Sequence, residues 1–452
     1  MNNNEFLGKE KIGKLLFKLS IPTVVAQLIN MLYNIVDRIF IGHMKGDGNL
    51  ALTGIGVCLP LIMIVTAFAA LVSSGGAPRA SIFMGKKDID SAEKILGNCF
   101  VLQIFISIIL TILLLIFNKP LLMIFGASEN TIGYASSYIV VYAIGTIFVQ
   151  LTLGMNAYIT AQGFSKIAMF TVLIGALCNI ALDPLFIYGF NMGVQGAALA
   201  TIISQFVSCC FVLVFLFGKK TLLKIRLKNL KLQAKIILPC IALGSAPFIM
   251  QASESIIIVC FNTSLQKYGG DIAVGAMTIL SSVMQFAMLP LQGLAQGAQP
   301  ISSYNYGAKN VERVVKTFKL LLLVSVIYST VLYVIIMIFP KGFASLFTDN
   351  IELINYTGSV IRKYFAVLLI FGVQIACQMT FVSIGNAKCS IIVAVVRKFI
   401  LLLPLIYIVP MFVEDKTIGV YLAEPISDFI AVTFTAILFA FQFKKSIKLI
   451  SQ

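Results

Sequence analysis

Four polar residues interrupt the apolar stretch at residues 21–41 of this chain. Gln27, Asn30, Asn34 and Asp37 are spaced three, four and three residues apart, which places them on one face of a helix. The stretch is long enough to span a bilayer, and a charge at the membrane centre costs about 2.5–3.5 kcal/mol. We therefore expect this face to contact protein or water, with Asp37 as a candidate ion-binding group.

A second polar cluster is predicted at residues 177–184, LCNIALDP. Asn179 and Asp183 are four residues apart and share a helix face. Pro184 has no amide hydrogen, so the carbonyl group of Ile180 loses its helical donor. Amide, carboxylate and carbonyl oxygens together suit sodium or a network that shares a proton. The alternative is a proline kink with a fully hydrogen-bonded aspartate.

The composition indicates a polytopic membrane protein. Of 452 residues, 59% are hydrophobic and 12% are charged, and the mean hydropathy is +0.98, which leaves too little polar surface for a soluble domain. The amino-terminal segment shows no small-residue cleavage site, so we expect it to be retained. The apolar runs predict an all-α protein with twelve spanning helices, at about residues 15–41, 51–74, 95–117, 131–161, 166–189, 195–217, 236–266, 272–300, 315–339, 352–385, 389–412 and 417–442.

The net charge of +16 is interpreted first as a topology signal. Most of the 34 Lys and Arg residues are assigned to segments on one side of the membrane, among them segment 218–235 and the pair Arg397 and Lys398. Basic residues mark cytoplasmic segments, so both termini are expected in the cytoplasm, with an even number of crossings. Nucleic-acid binding then has no support. The nine cysteines lie almost all in apolar segments and only one histidine is present, which favours packing over a metal cluster.

The two halves of the chain are similar to each other. Residues 75–88, GGAPRASIFMGKKD, align with residues 297–310, GAQPISSYNYGAKN, so that Pro78 pairs with Pro300. A unit of six helices thus occurs twice, and because six is even, both copies insert the same way up about a pseudo-two-fold axis along the membrane normal. The linker between them is either a short amphipathic segment or a solvated loop. We predict an N-terminal six-helix lobe at 1–217, a basic cytoplasmic linker at 218–235 and a C-terminal six-helix lobe at 236–452.

Depth along the predicted helices brings four polar side chains to one level. At about 1.5 Å rise per residue, each lies roughly 6–10 Å from the outer end of its helix. Two carboxylates that meet there, away from water, repel each other, so one binds a proton or a cation lies between them. Either outcome couples an ion to the conformation of this bundle. The four residues are Asp37, Tyr138, Asp183 and Thr201.

In combination, these motifs make the chain similar to the multidrug and toxic compound extrusion (MATE) family over essentially its whole length. The resemblance is carried by the paired loops at 75–88 and 297–310, by 179–184, and by 193–201, GVQGAALAT. It implies two six-helix lobes that face a central cleft, and efflux of cationic, often aromatic compounds against inward Na⁺ or H⁺. It also implies an ion site in the first lobe, able to hold Na⁺ in the sodium-coupled case. Its residues are Asp37, Asn179, Asp183 and Thr201, with Tyr138 nearby.

The polar face of the first helix then divides by depth. Asn34 belongs with Asp37 to the ion site, whereas Gln27 and Asn30 lie deeper and line the cleft. Glu254 resembles an acid in the seventh helix of several members, and it either meets the cationic substrate or hydrogen-bonds a Ser or Gln on another helix. The predicted tenth helix has a single acid, Glu352, at its outer edge, so an ion site in the second lobe is not expected. The predicted cleft residues are Gln27, Asn30, Met31, Gln251, Glu254, Met284 and Met288.

A cation-coupled multidrug efflux antiporter in the plasma (inner) membrane, working by alternating access, is the leading hypothesis. It needs small cationic drugs or toxins as substrates, a lipid bilayer, and H⁺ or Na⁺ as coupling ion. No other cofactor, nucleic acid or ATPase subunit is required, and we expect a monomer. The alternative is a flippase for lipid-linked saccharides of a related two-lobed fold, which would need a strongly basic cleft. An enzyme is not expected, because the chain shows no P-loop, metal-ligand cluster or plausible Ser/His pair.

Overall fold

A computed structural model describes residues 5–44 and 48–451, and the regular elements within these ranges are all helical. The predicted all-α fold is thereby confirmed. The helices are α1 (Glu5–Lys9), α2 (Ile12–Gly42), α3 (Gly48–Gly85), α4 (Ile89–Ile124), α5 (Ile132–Ile144), α6 (Thr146–Ala161), α7 (Ser165–Pro184), α8 (Gly193–Phe217), α9 (Ala234–Gly307), α10 (Val311–Ile338), α11 (Pro340–Ser345), α12 (Ile351–Tyr364), α13 (Phe371–Ser383), α14 (Ala387–Val395), α15 (Leu403–Ile408) and α16 (Lys416–Ser451). Two π-helical segments, Leu185–Gly189 and Val396–Leu402, follow α7 and α14, and 3₁₀ turns occupy Leu227–Asn229, Leu368–Ile370 and Val409–Met411.

The described helices account for twelve crossings of a membrane. Nine are long and apolar enough to span by themselves, and two bent pairs, α5 with α6 (57°) and α12 with α13 (49°), add two more. Helix α9 has 74 residues, about 110 Å in length, far more than a hydrocarbon core of about 30 Å requires. Gly270, at φ 64° and ψ −161°, interrupts its helical backbone, so α9 supplies two crossings. The predicted number of twelve is thus confirmed.

The connections between the helices define two ends of the bundle. One end holds the start of α2 and the basic connections, and we call it the basic end; the other is the far end. Contacts join the basic connections directly, since Gln162 binds residues 221–223 and Gly85 adjoins Tyr304. The connections at the basic end are 86–88, 162–164, 218–233, 308–310 and 384–386.

At the basic end, the first helix of each half packs on the other half. Ser20 of α2 donates a hydrogen bond to the carbonyl of Leu294 (3.2 Å), and Thr23 donates one to the carbonyl of Gly293 (2.6 Å). In return, Cys240 near the start of α9 lies in an apolar core of the N-terminal half. The two halves therefore share their packing at this end. The apolar cluster around α2 contains Leu7, Leu15, Leu16, Leu19, Leu294, Ala298, Ile301, Leu321 and Ala376.

Two glycines at equivalent positions of the repeat bring α3 and α9 into backbone contact at the basic end. A Cβ atom on Gly85 would overlap the carbonyl oxygen of Tyr304, and one on Gly307 would overlap the carbonyl oxygen of Ile82. Only a residue without a side chain allows so close an approach. The basic end is therefore closed in this structure by contacts between the two halves.

The basic linker is docked on the N-terminal half. The Gln162 side-chain oxygen accepts hydrogen bonds from the Thr221 hydroxyl (2.8 Å) and from the amides of Leu222 (2.9 Å) and Leu223 (3.0 Å). Farther along, the amide of Gln233 donates to the Asn98 side chain (2.7 Å). Glu93 also pairs with Arg226 at 2.7 Å. These acceptors satisfy backbone groups that irregular structure would otherwise leave unpaired.

Of the two expectations for this segment, the solvated loop is wrong, because Leu223 and Ile225 are buried. The segment contains a single 3₁₀ turn, Leu227–Asn229, and carries exposed basic residues beside these buried ones. Leu227, by contrast, is 84% exposed. The docking could not be predicted from the sequence, because the residues that accept the linker lie on α4 and at the end of α6.

Candidate functional site

Asp183 and Asn179 lie together in the N-terminal half, near the far end of α7. Both are buried, and the Asn179 amide donates to Asp183 Oδ1 at 3.1 Å. Helix α7 ends at Pro184, and the chain continues as the π-helical segment Leu185–Gly189. A proline at this position removes a backbone donor, and π-helical turns often occur at functional sites. The predicted pairing of amide and carboxylate is present.

Three further helices add polar groups around the pair of carboxylates, Asp37 and Asp183. Asp37 of α2 is buried, and its carboxylate acts electrostatically on that of Asp183. Tyr138 of α5 interacts with both Asp37 and Thr201 of α8. The Thr201 hydroxyl also donates to the carbonyl of Ala197 at 3.0 Å. The structure thus places together the residues that the sequence predicted as an ion site, although their role in ion coupling stays a prediction.

This cluster contains buried oxygen atoms that accept no hydrogen bond from the described residues. They are Asp37 Oδ1, Asn179 Oδ1 and Asp183 Oδ2. Unsatisfied buried acceptors are costly, typically about 1–3 kcal/mol each, and more when charged. A hard cation takes oxygen ligands, and a proton on one of two adjacent carboxylates relieves their repulsion. The residues present therefore fit either H⁺ or Na⁺.

The Asn34 side chain makes a hydrogen bond within its own helix, and the neighbouring Tyr33 interacts with both Asn34 and Asp37. Asn34 is exposed, and its amide donates to the carbonyl of Asn30 in the same helix (2.6 Å). Tyr33 interacts electrostatically with Asp37. The spacing of four residues between Tyr33 and Asp37 could have revealed this. The prediction considered only amides and carboxylates along this face and missed the phenol.

Several predicted cleft residues bridge the two halves in mid-bundle. Gln27 donates to the Gln296 side chain at 3.2 Å, and Gln251 donates to the Thr66 hydroxyl at 3.0 Å. Both therefore lie where the lobes meet. The other apolar and amide members of the predicted set are partly buried: Asn30, Met31, Met284 and Met288, the last two packed on the core of the C-terminal half.

The C-terminal half holds a second charged cluster. Lys398 Nζ lies 2.7 Å from Glu254 Oε2, and Arg397 Nε lies 2.9 Å from Asp428 Oδ1. Arg397 Nη2 also lies 3.8 Å from Glu424 Oε1. These residues come from α9, the π-helical segment Val396–Leu402 and α16. Glu254 therefore has a lysine partner, which neither predicted alternative included.

The prediction that Arg397 and Lys398 belong to a basic cytoplasmic segment is wrong. They are 5% and 4% exposed and lie within the span Ala387–Met411. Charges are tolerated in such a position when paired, and their acidic partners come from distant parts of the chain. A count of basic residues along the sequence could not show that pairing.

A model of the MatE family matches residues 22–185 and 246–408, one stretch in each half. The chain belongs to the MatE family. The two matched stretches begin within α2 and α9, the first helix of each repeat. This integral membrane transporter thus carries the family's sequence pattern twice, in agreement with the internal repeat.

This MatE chain is similar to curated proteins over most of its length. It is 23% identical over 428 residues to the multidrug export protein MepA of Staphylococcus haemolyticus, covering 94% of each chain. It is 25% identical over 408 residues to MepA of Staphylococcus aureus, covering 89% of this chain and 88% of the relative.

Solved structures share the fold. A crystal structure of MATE in the bent conformation gives a TM-score of 0.93 at 23% identity and covers all of both chains. The outward-facing conformation of a multidrug resistance MATE family transporter gives 0.91 at 23% identity, covering 100% of this chain and 99% of that one. At such identities, the likeness establishes the twelve-helix, two-lobed fold.

Proposed function

We propose that this protein is a cation-coupled multidrug efflux antiporter that exports cationic, amphipathic compounds by alternating access. The observation that carries the proposal is the pair of buried carboxylates, Asp37 and Asp183, with unsatisfied oxygens in the N-terminal half. An acid inside a membrane span is costly and points to ion or substrate handling. The curated relatives named multidrug export proteins support the choice of substrate class.

Helix α2 supplies the link between ion binding and movement of the lobes. Its far end carries Asp37, whereas its basic end packs on α9 through Ser20 and Thr23. Binding of H⁺ or Na⁺ near Asp37 and Asp183 therefore acts on a helix that also forms the closed contact. The ion drives transport only if its affinity differs between the closed and open states of the basic end.

The flippase alternative requires a basic cleft for a pyrophosphate group. Arg397 and Lys398 are buried in the C-terminal half, but each has an acidic partner, and their cluster contains three acids. The charge of this part of the cleft wall therefore favours a cationic substrate. We also propose a location in the plasma membrane, with both termini cytoplasmic and a monomer as the transporting unit.

The decisive experiment uses purified protein in proteoliposomes. Movement of a cationic dye is followed under a sodium gradient alone and then under a pH gradient alone, with a lipid-linked saccharide assayed in parallel. One ion gradient should drive the dye, and Asp183→Asn should abolish that transport. Glu93→Gln is the matched control, because Glu93 is a buried acid of the basic end, paired with Arg226. Dye movement that is indifferent to both gradients, or undiminished in Asp183→Asn, overturns the proposal.

A further inference from the structure

The charged cluster of the C-terminal half holds one acid more than its bases can balance. Glu254, Glu424 and Asp428 face Arg397 and Lys398. With all five ionised, one negative charge stays uncompensated inside a membrane-spanning bundle. Because an unmatched buried charge is strongly unfavourable, the cluster favours binding of one further positive charge.

Contact geometry identifies the acid that is least well paired. Glu254 and Asp428 lie at hydrogen-bonding distance from Lys398 and Arg397, at 2.7 and 2.9 Å. The shortest ion-pair distance of Glu424 is 3.8 Å to Arg397, which is too long for a hydrogen bond. Its side chain is 8% exposed. The titratable and charged groups that act on Glu424 are Asp428 of its own helix, Arg397 and Lys398 of the π-helical segment, Glu254 of α9 and Tyr364 of α12.

Glu254 connects this buried cluster to the border between the two halves. Its side chain is 44% exposed, whereas that of its partner Lys398 is 5% exposed. On α9, the neighbouring Gln251 touches Thr66 of the N-terminal half, and Met250 touches Gln378 of the C-terminal half. The Glu254 carboxylate therefore offers an accessible edge where the lobes meet.

We propose that Glu424 is a proton-binding site and that its proton is exchanged for a substrate cation at Glu254. With the proton on Glu424, two neutral ion pairs remain. When the proton leaves, the cluster carries one negative charge, which a substrate cation beside Glu254 neutralises. Each partner then weakens binding of the other by the same factor, as linkage requires. The exchange rests on the proposed export of cations, whereas the proton site itself does not.

The proton site is tested by infrared spectroscopy of the purified full-length protein. A protonated buried carboxyl group has a distinct carbonyl stretching band, and Glu424→Gln should remove one such band from the wild-type spectrum. Glu424→Asp, which keeps a carboxyl group, should restore a shifted band. The band should persist in Glu93→Gln and in the double variant Asp37→Asn, Asp183→Asn. An unchanged set of bands in Glu424→Gln overturns the assignment.

The exchange is tested by binding of tetraphenylphosphonium at acidic and alkaline pH. Wild-type affinity should rise at least about fivefold from acidic to alkaline pH, the lower end of ordinary coupling between sites. Glu424→Gln should lose most of this pH dependence, and Glu254→Gln should bind weakly at both pH values while keeping the Glu424 band. Glu93→Gln should behave as the wild type.

The outcomes separate the two proposals. Equal pH dependence in Glu424→Gln and wild type overturns the exchange. A wild-type protein that binds no organic cation, yet shows the Glu424 band, overturns the exchange and the proposed substrate class but supports the proton site. Cation binding with the predicted pH dependence, without transport driven by an ion gradient, supports the exchange while overturning the coupled export.

Discussion

The backbone contact between α3 and α9 at the basic end predicts the effect of one added methyl group. Gly307→Ala places a Cβ atom where the carbonyl oxygen of Ile82 now lies, and a backbone atom cannot move away alone. The two helices must separate by roughly 1 Å or more to restore van der Waals contact. Overpacking of this kind costs about 1–3 kcal/mol. It destabilises only the state in which the basic end is closed, because the contact is absent from the open state. The open state should therefore gain about five- to 150-fold in population relative to the closed state.

Native cysteines provide the assay for this change. Cys240 is buried near the start of α9 and packs in a core of the N-terminal half, so opening of the basic end exposes its thiol. Labelling by a maleimide, followed for each peptide by mass spectrometry, should be faster at Cys240 in Gly307→Ala. When opening and closing are fast, the rate follows the open population. Cys210, which is exposed, serves as the internal reference.

Gly56→Ala is the matched control, because no atom lies within 4 Å of the position of the added Cβ atom on the same α3 helix. It should leave the rate at Cys240 unchanged. Equal rates at Cys240 in Gly307→Ala and the wild type would refute the view that this contact holds the basic end closed. A parallel rise at Cys58, which is buried in a different core of the N-terminal half, would instead indicate general loosening of the protein.

Three further changes test other contacts. Arg397→Met should lower the free energy of unfolding by about 3–5 kcal/mol, because Asp428 loses its buried cation. Adding Asp428→Asn to this variant should recover part of the lost stability. Thermal unfolding of the single and double variants measures both effects. Gln162→Ala removes the acceptor of three hydrogen bonds from the linker, so trypsin should cut segment 218–233 faster. An unchanged rate of cleavage would contradict the docking of the linker on Gln162. Asp88→Ala should cost about 1 kcal/mol, because Asp88 caps α4 by accepting from the Ser91 amide at 3.0 Å. That hydrogen bond lowers the pKa of Asp88. The cap therefore stabilises the protein at any pH above the usual pKa of an aspartate, and this stabilisation is lost as the pH falls through the lowered pKa. The difference in thermal midpoint between the wild type and Asp88→Ala should disappear in acid.

The features that the sequence predicted correctly depend on local pattern or on the repeat. Apolar runs indicate the spans, and the similarity of residues 75–88 to 297–310 indicates two equivalent units. The pairing of Asn179 with Asp183 follows from helical spacing alone. The proximity of Asp183 to Asp37 could be predicted because the two residues lie at the same depth in neighbouring helices.

The features that the sequence missed depend on pairing between distant segments. Arg397 and Lys398 are followed by an apolar run, yet their partners Glu254 and Asp428 lie on other helices. Counting charges along the chain assigns such residues to the cytoplasmic side, because the count does not show which acidic side chains neutralise them. The docking of the linker on Gln162 depends in the same way on a side chain far away in the chain.

The two π-helical segments have a geometric consequence for the charged clusters beside them. Leu185–Gly189 begins two residues after Asp183, and Val396–Leu402 contains Arg397 and Lys398. A π turn holds about one residue more than an α turn, so conversion of either segment to α geometry rotates the helix on one side by about 100° against the other. Such a change of register would turn a charged side chain away from its partners while both ends of the span stayed in place. Each half thus contains a short stretch where a local rewinding of the backbone, without tilting of the helix, can disconnect a carboxylate from its neighbours.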